Sequence, residues 1–138
     1  MPTAFIATYG QGRPVISVLG EFDALPGLSQ DTTPTKKPLT EGGNGHGCGH
    51  NLFGAASLAS AIAIKEQIEN GDLKGTIKFF GTPSEEKFFG KIWMVDAGLW
   101  DDVDVNLSWH PGYYTESDVQ STLSLIDFQV EFFGQAAH

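Results

Sequence analysis

The segment GNGHGCGHNL, residues 43–52, places the only cysteine of the sequence, Cys48, two positions before His50. A glycine-rich segment loses much backbone entropy on folding, so it commonly occurs where the backbone must approach another group closely. Such a segment could be a phosphate loop, a cysteine nucleophile with its base, a metal site or a tight turn. The Gly-Lys-Ser/Thr sequence of a phosphate loop is absent from it, and a tight turn alone needs neither a cysteine nor a histidine.

Metal binding explains the spacing of these two residues most directly. In an extended segment Cys48 and His50 point to the same side of the backbone, and Gly47 and Gly49 keep bulky side chains away from them. Thiolate and imidazole are preferred ligands of zinc and related metals. We therefore predict a metal site here, and a Cys–His nucleophile pair is the alternative.

Adjacent acids at Glu85 and Glu86 follow an apolar run and a proline in the segment TPSEEK. Two neighbouring carboxylates can divide the work of hydrolysis, one binding a metal while the other takes a proton from water. The alternative is that both acids lie in a solvated loop, as charged pairs commonly do.

Two further polar residues follow apolar runs. His110 comes directly before Pro111, and it could serve as a metal ligand or make a structural hydrogen bond. We predict that Asp23 orients a ligand rather than binding the metal itself. Glu21, two residues earlier, could share the same edge but receives no role.

The predicted secondary structure indicates how these residues could meet. Strands are predicted at residues 3–9, 14–20, 75–81, 104–109 and 121–134, and helices at 52–71 and 89–97. An irregular segment at 23–44 lies between the second strand and the first helix. Alternating strands and helices are typical of an α/β fold, with a largely parallel sheet and helices on both faces. In the first helix we expect Leu58, Ile62 and the nearby alanines to pack inward. Because ligands bind beyond the carboxyl ends of parallel strands, six side chains should converge on one rim: Asp23, Cys48, His50, Glu85, Glu86 and His110.

Length, charge and cysteine content narrow the class of protein. A chain of 138 residues is expected to form one domain. The net charge of −9, from 17 acidic and 8 basic residues, disfavours nucleic acid or an anionic membrane as a partner. A single cysteine excludes an internal disulfide, and the sequence shows neither a leader pattern nor a long apolar run. We therefore expect a cytoplasmic protein with no membrane contact.

Four motifs in order, GEFDALPGLSQ, GHGCGHNL, PSEEKFFGK and SWHPG, resemble the M20 family of metallopeptidases and amidohydrolases. Within that family they are most similar to the B-subunit type of its p-aminobenzoyl-glutamate hydrolases. The resemblance extends through essentially the whole chain. It implies a zinc-peptidase-like catalytic domain, into which family members insert a smaller lid or dimerisation domain.

The resemblance also implies a set of site residues and a reaction. Two divalent ions, zinc or manganese, would hydrolyse the amide bond of an N-acyl amino acid such as p-aminobenzoyl-glutamate. Glu85 matches the general base of the family, and His138, in the terminal GQAAH, matches a histidine that contacts the substrate carbonyl. The positions that match metal ligands are Cys48, His50, Glu86 and His110.

The motifs cover only part of the family pattern. Residues 1–133 match part of the catalytic domain, and residues 134–138 match the start of the lid, which is otherwise absent, as is a later histidine ligand. We therefore expect the 138 residues alone to be inactive as a hydrolase. The resemblance implies a homologous A-type subunit or a second copy of the chain as partner. Two alternatives are a non-catalytic metal-binding module and an assembly subunit.

Overall fold

The computed structural model describes residues 1–117, 121–126 and 128–135. In chain order its elements are β1 (Phe5–Gln11), β2 (Val15–Glu21), α1 (His50–Glu69), β3 (Gly75–Thr82), α2 (Glu85–Phe88), α3 (Gly90–Asp96) and β4 (Val105–Leu107). This arrangement confirms the predicted α/β class. Across the described ranges, no helix combines the length and the apolar content that a membrane crossing would require.

The four strands form one sheet in the order β1-β3-β2-β4. The central strand β2 runs parallel to both β3 and β4, whereas β1 is antiparallel to β3 at the edge of the sheet. The sheet is therefore largely parallel, as predicted. The sequence of β2, VISVLGE, is almost continuously apolar because this strand is covered on both faces.

The core lies on both faces of β3. Phe79 and Phe80 are consecutive in this strand, so their side chains point to opposite faces. Phe79 packs with Ala61 of α1, whereas Phe80 packs with Met94 of α3 and stacks on Trp100 with ring centroids 4.2 Å apart. Helices therefore cover both faces, as the alternation of elements predicted.

The inward face of α1 differs from the prediction. Leu58 and Ile62 remain 42% and 46% exposed, so the expectation that they pack inward was wrong. Of the nearby alanines only Ala61 is buried, whereas Ala55, Ala56, Ala59 and Ala63 are exposed. The buried residues of α1 are His50, Phe53, Ser57 and Ala61, and the last three are spaced four residues apart. The small side chains of Ser57 and Ala61 let α1 lie close to the sheet. The larger Leu58 and Ile62 consequently lie beside this helix–sheet contact and remain partly exposed.

The prediction of a strand at 121–134 was also wrong. In the described part of this segment, 121–126 and 128–134, no residue is assigned to a strand, and Leu123 and Phe132 are almost fully exposed. A strand requires a neighbour that accepts and donates its backbone hydrogen bonds. Within the described ranges no strand pairs with this segment, so its β-prone composition is not sufficient to make one.

We predict that Phe80→Ala lowers the free energy of unfolding by about 3–5 kcal/mol, because the Phe80 ring is completely buried and leaves a cavity against Trp100. The matched control is Phe88→Ala, since Phe88 is 63% exposed and its truncation should change stability by less than about 0.5 kcal/mol. Urea-induced unfolding followed by circular dichroism measures both. Equal losses in the two variants would contradict the described core.

Candidate metal centre

The polar residues lie at the carboxyl edge of the sheet. Glu21, the last residue of β2, is paired in register with Thr82, the last residue of β3. The parallel strand β4 ends at Leu107, and α1 begins at the same edge with His50 as its first residue. The segments that carry the candidate site residues therefore start side by side.

The glycine loop enters α1 through a turn and not as an extended segment. Gly49 has φ 78°, in the left-handed region that favours glycine, and a Cβ there would lie 2.9 Å from Cγ of Pro111. The prediction that an extended backbone aligns Cys48 with His50 was therefore wrong. The two side chains come together because Gly49 turns the chain into α1 and packs against Pro111, which brings His110 between them.

A first cluster consists of Cys48, His50 and His110. The Nε2 atom of His110 lies 3.4 Å from Sγ of Cys48 and 3.4 Å from Nε2 of His50, and the three candidate ligand atoms all lie within 4.8 Å of one another. The other ring nitrogen of His110, Nδ1, donates to the carbonyl oxygen of Pro111 at 2.9 Å. This bond leaves a lone pair on Nε2, which faces the cluster.

Asp23 fixes the orientation of the His50 ring. Its Oδ1 atom accepts a hydrogen bond from Nδ1 of His50 at 2.9 Å, and its Oδ2 accepts from the backbone N–H of Glu86 at 3.0 Å. Because a carboxylate only accepts, Nδ1 carries the hydrogen and Nε2 of His50 presents its lone pair. This contact is the one expected of a residue that orients a metal ligand.

A second cluster, Glu21, His50 and Glu85, shares the same histidine. Glu21 is buried at the end of β2, and its Oε1 atom forms an ion pair with Lys91. Its Oε2 atom lies 3.0 Å from Nε2 of His50, but the two atoms are not aligned as a hydrogen bond, so Oε2 has no partner within the described residues. Glu21 received no role from its sequence context, and Lys91 was not predicted to contribute. The available signal was the spacing of Glu21 two residues before Asp23 at the end of a buried strand.

Among the described residues that were predicted to be catalytic or metal-binding, Glu86 is not brought into either cluster. The side chain of Glu86 is exposed, and the hydrogen bond to Asp23 comes from its backbone. Its carboxylate still lies close enough to Cys48 to influence the thiol. His138 lies outside the described residues.

Aromatic packing positions His110. The indole N–H of Trp109 donates to Oγ of Ser57 in α1 at 3.0 Å, and the Trp109 ring meets the edge of Phe53 at a centroid distance of 5.4 Å. The segment after β4 is therefore attached to α1 immediately before His110. Trp109 and Ser57 were not predicted from the sequence, because neither residue type suggests a site by itself.

The centre carries an excess of negative charge. Burial raises the pKa of the Cys48 thiol to about 11, assisted by the nearby carboxylates of Glu86, Glu85 and Glu21. Burial and the charge of Glu21 also raise the pKa of Glu85, against the opposing effect of Lys91. Nearby negative charges disfavour further ionisation, so a cation would be stabilised here. Sulfur, imidazole nitrogen and carboxylate oxygen are together a ligand set that fits a divalent metal.

Residues 18–135 match Peptidase family M20/M25/M40. The chain belongs to this family, and the resemblance drawn from its motifs is confirmed.

Known relatives and a solved structure agree with that assignment. The chain is 50% identical over 141 residues to the B subunit of p-aminobenzoyl-glutamate hydrolase from Escherichia coli, covering 100% of the chain and 29% of the relative. It is 34% identical over 149 residues to the A subunit of the same hydrolase, covering 99% of the chain and 34% of the relative. The YXEP protein of Bacillus subtilis, described as a dinuclear metal binding peptidase from the M20 family, superposes with a TM-score of 0.66 at 29% identity, over 80% of this chain and 30% of that one. The chain thus spans about a third or less of the length of these proteins.

We predict that alkylation of Cys48 in metal-free protein is slow at neutral pH. The thiolate is the reactive form and the pKa is raised to about 11, so the rate should rise about tenfold per pH unit from about pH 7 to pH 10. The measurement is iodoacetamide labelling followed by mass spectrometry, in chelator and again with added zinc, which should suppress labelling at every pH. A plateau near the ordinary thiol pKa would contradict the described surroundings, and labelling unaffected by zinc would contradict a ligand role for Cys48.

Proposed function

We propose that this chain carries the metal centre of an M20 amidohydrolase that cleaves the amide bond of an N-acyl amino acid. The observation that carries the proposal is the convergence of Cys48, His50 and His110 beside Glu85. The identity with the B subunit of p-aminobenzoyl-glutamate hydrolase supports a substrate of that kind, in which an aromatic acyl group is joined to an acidic amino acid.

The residues present suit two divalent ions, and zinc and manganese are the metals we propose. Cys48, His50 and His110 would supply ligands, and the family resemblance implies Glu86 as a further one. When bound, such ions polarise a carbonyl group and acidify water. A thiolate ligand favours zinc, whereas carboxylate ligands also suit manganese.

Glu85 is the proposed general base. Its carboxylate would accept a proton from the attacking water and return it to the nitrogen of the leaving amine. Burial and the neighbouring Glu21 raise its pKa, which brings it closer to neutral pH and makes it a stronger proton acceptor than a surface glutamate. Asp23 would hold the His50 ring in place through the Nδ1 hydrogen bond. His138 would stabilise the oxyanion that forms when water attacks the carbonyl.

The organisation of the full-length polypeptide is part of the proposal. Residues 1–133 would contribute to the catalytic domain, and residues 134–138 would begin the lid. Because the two Escherichia coli relatives are named as the A and B subunits of one hydrolase, we propose a homologous chain or a second copy of this chain as partner. We also propose a cytoplasmic location. Activity is proposed for the full-length polypeptide rather than for these residues alone.

We predict that Glu85→Gln in the full-length polypeptide lowers kcat by about 10²–10⁴-fold, because Gln cannot accept the proton. The metal content should be unchanged. The control is Glu66→Gln, which alters an exposed glutamate of α1 and should leave both quantities unchanged. Release of p-aminobenzoate measured by chromatography, with metal analysis of the same samples, provides the two readouts.

Two outcomes would contradict the proposal in different ways. Turnover preserved in Glu85→Gln would show that Glu85 is not the base. Two bound metal ions in a protein that hydrolyses neither p-aminobenzoyl-glutamate nor simple N-acyl amino acids would favour the non-catalytic module or assembly subunit over the hydrolase.

A further inference from the structure

Glu21 is a buried acid that the proposed reaction does not use. Its side chain is 9% exposed, and the carboxylate lies at the end of β2 beneath the start of α1. Gly54 makes this closeness feasible, because a Cβ there would lie 2.9 Å from the backbone oxygen of Glu21. A carboxylate in such a position is costly unless each oxygen has a partner.

The two oxygens of Glu21 have different surroundings. Oε1 forms an ion pair with Lys91 of α3. Oε2 is buried and makes no hydrogen bond within the described residues. Lys91 therefore satisfies one oxygen and leaves the other facing the centre.

The atom that Oε2 faces is also an electron-pair donor. Nε2 of His50 lies 3.0 Å away, and it carries a lone pair because Nδ1 donates its hydrogen to Asp23. A carboxylate oxygen of Glu85 lies within 4.8 Å of a ligand atom of Glu21 and of a ligand atom of His50. Three electron-pair donors this close together repel one another unless a positive species lies between them.

We infer that Oε2 of Glu21 is a ligand of the divalent ion on the His50 side of the centre, an inference that rests on the metal binding in the proposed function. The ion pair with Lys91 occupies Oε1, so Oε2 is the oxygen left for the ion. The single lone pair of His50 Nε2 can bind one ion. Glu21 joins that ion beside His50.

The test uses the full-length polypeptide and three variants. Glu21→Gln removes the charge at nearly constant shape, Glu21→Asp keeps a carboxylate, and Lys91→Met removes the ion-pair partner but leaves Oε2 in place. Manganese and zinc affinities are measured by dialysis against buffered free metal with elemental analysis. Cobalt substitution reports the surroundings of each ion through its visible bands and its near-ultraviolet thiolate band.

We expect Glu21→Gln to weaken one of the two ions by at least about tenfold, a loss typical of changes around a metal ligand. The visible cobalt bands should change, while the thiolate band from Cys48 persists. Glu21→Asp should bind that ion with intermediate affinity, and Lys91→Met should retain both ions. If Glu21→Gln fails to fold, the metal affinities of Glu21→Asp and Lys91→Met are compared instead. A larger loss of affinity in Glu21→Asp than in Lys91→Met supports the inference.

Unchanged affinities and cobalt bands in a folded Glu21→Gln variant would overturn the inference and leave Glu21 as the structural partner of Lys91. Equal losses of metal affinity in Glu21→Asp and Lys91→Met would overturn it too, because metal binding would then depend on the ion pair and not on Oε2 as a ligand. Wild-type protein that binds no divalent ion would overturn the proposed function itself. Two ions in the wild type with no effect of Glu21→Gln would overturn only the assignment of Glu21.

Discussion

The two hydrogen bonds accepted by Asp23 hold the centre together. One reaches Nδ1 of His50 at the start of α1, and the other reaches the backbone N–H of Glu86 in the first turn of α2. Asp23 itself follows β2 by two residues. One carboxylate therefore joins three elements and determines which nitrogen of His50 presents its lone pair, and every ligand assignment around His50 depends on that tautomer.

The sheet and its helices make this arrangement feasible. Parallel pairing of β2 with β3 and β4 brings the ends of three strands to one edge, and the small residues on the inner face of α1 let its first turn reach that edge. The resulting rim collects Glu21, Glu85 and the Cys48 thiol in partly buried positions with little compensating positive charge. Burial, and after it the neighbouring negative charges, raise the pKa values of Cys48 and Glu85. Because these groups are unfavourable as negative charges without a counter-charge, the same site favours a bound cation. The proposed metal binding would therefore also stabilise this edge of the fold.

The sequence predicted the class of fold and most of the rim because both depend on local patterns. Alternating elements indicated the α/β sheet, and polar residues directly after apolar runs indicated where strands end. The failures have tertiary causes. Composition predicted a strand at 121–134 although no described strand pairs with it, and hydrophobicity predicted Leu58 and Ile62 as inward-facing although α1 packs through smaller residues.

The details of the site were harder to predict for a related reason. The backbone turn at Gly49 replaced the extended geometry assumed for Cys48 and His50, because a glycine pattern does not reveal which residue adopts a positive φ. Glu21 could share the edge with Asp23 on sequence grounds but received no role. Its ion-pair partner Lys91 lies 70 positions further along the chain, and no local pattern connects the two residues.

The most direct test of the metal centre is a crystal structure of the full-length polypeptide grown with manganese or zinc, with the ions located by anomalous scattering. We expect two anomalous peaks at the carboxyl edge of the sheet, with a zinc ion about 2.3 Å from Sγ of Cys48 and a zinc ion about 2.0–2.1 Å from Nε2 of His50, while Asp23 still accepts from Nδ1. An edge without anomalous density, or ions bound elsewhere in the protein, would contradict the metal centre.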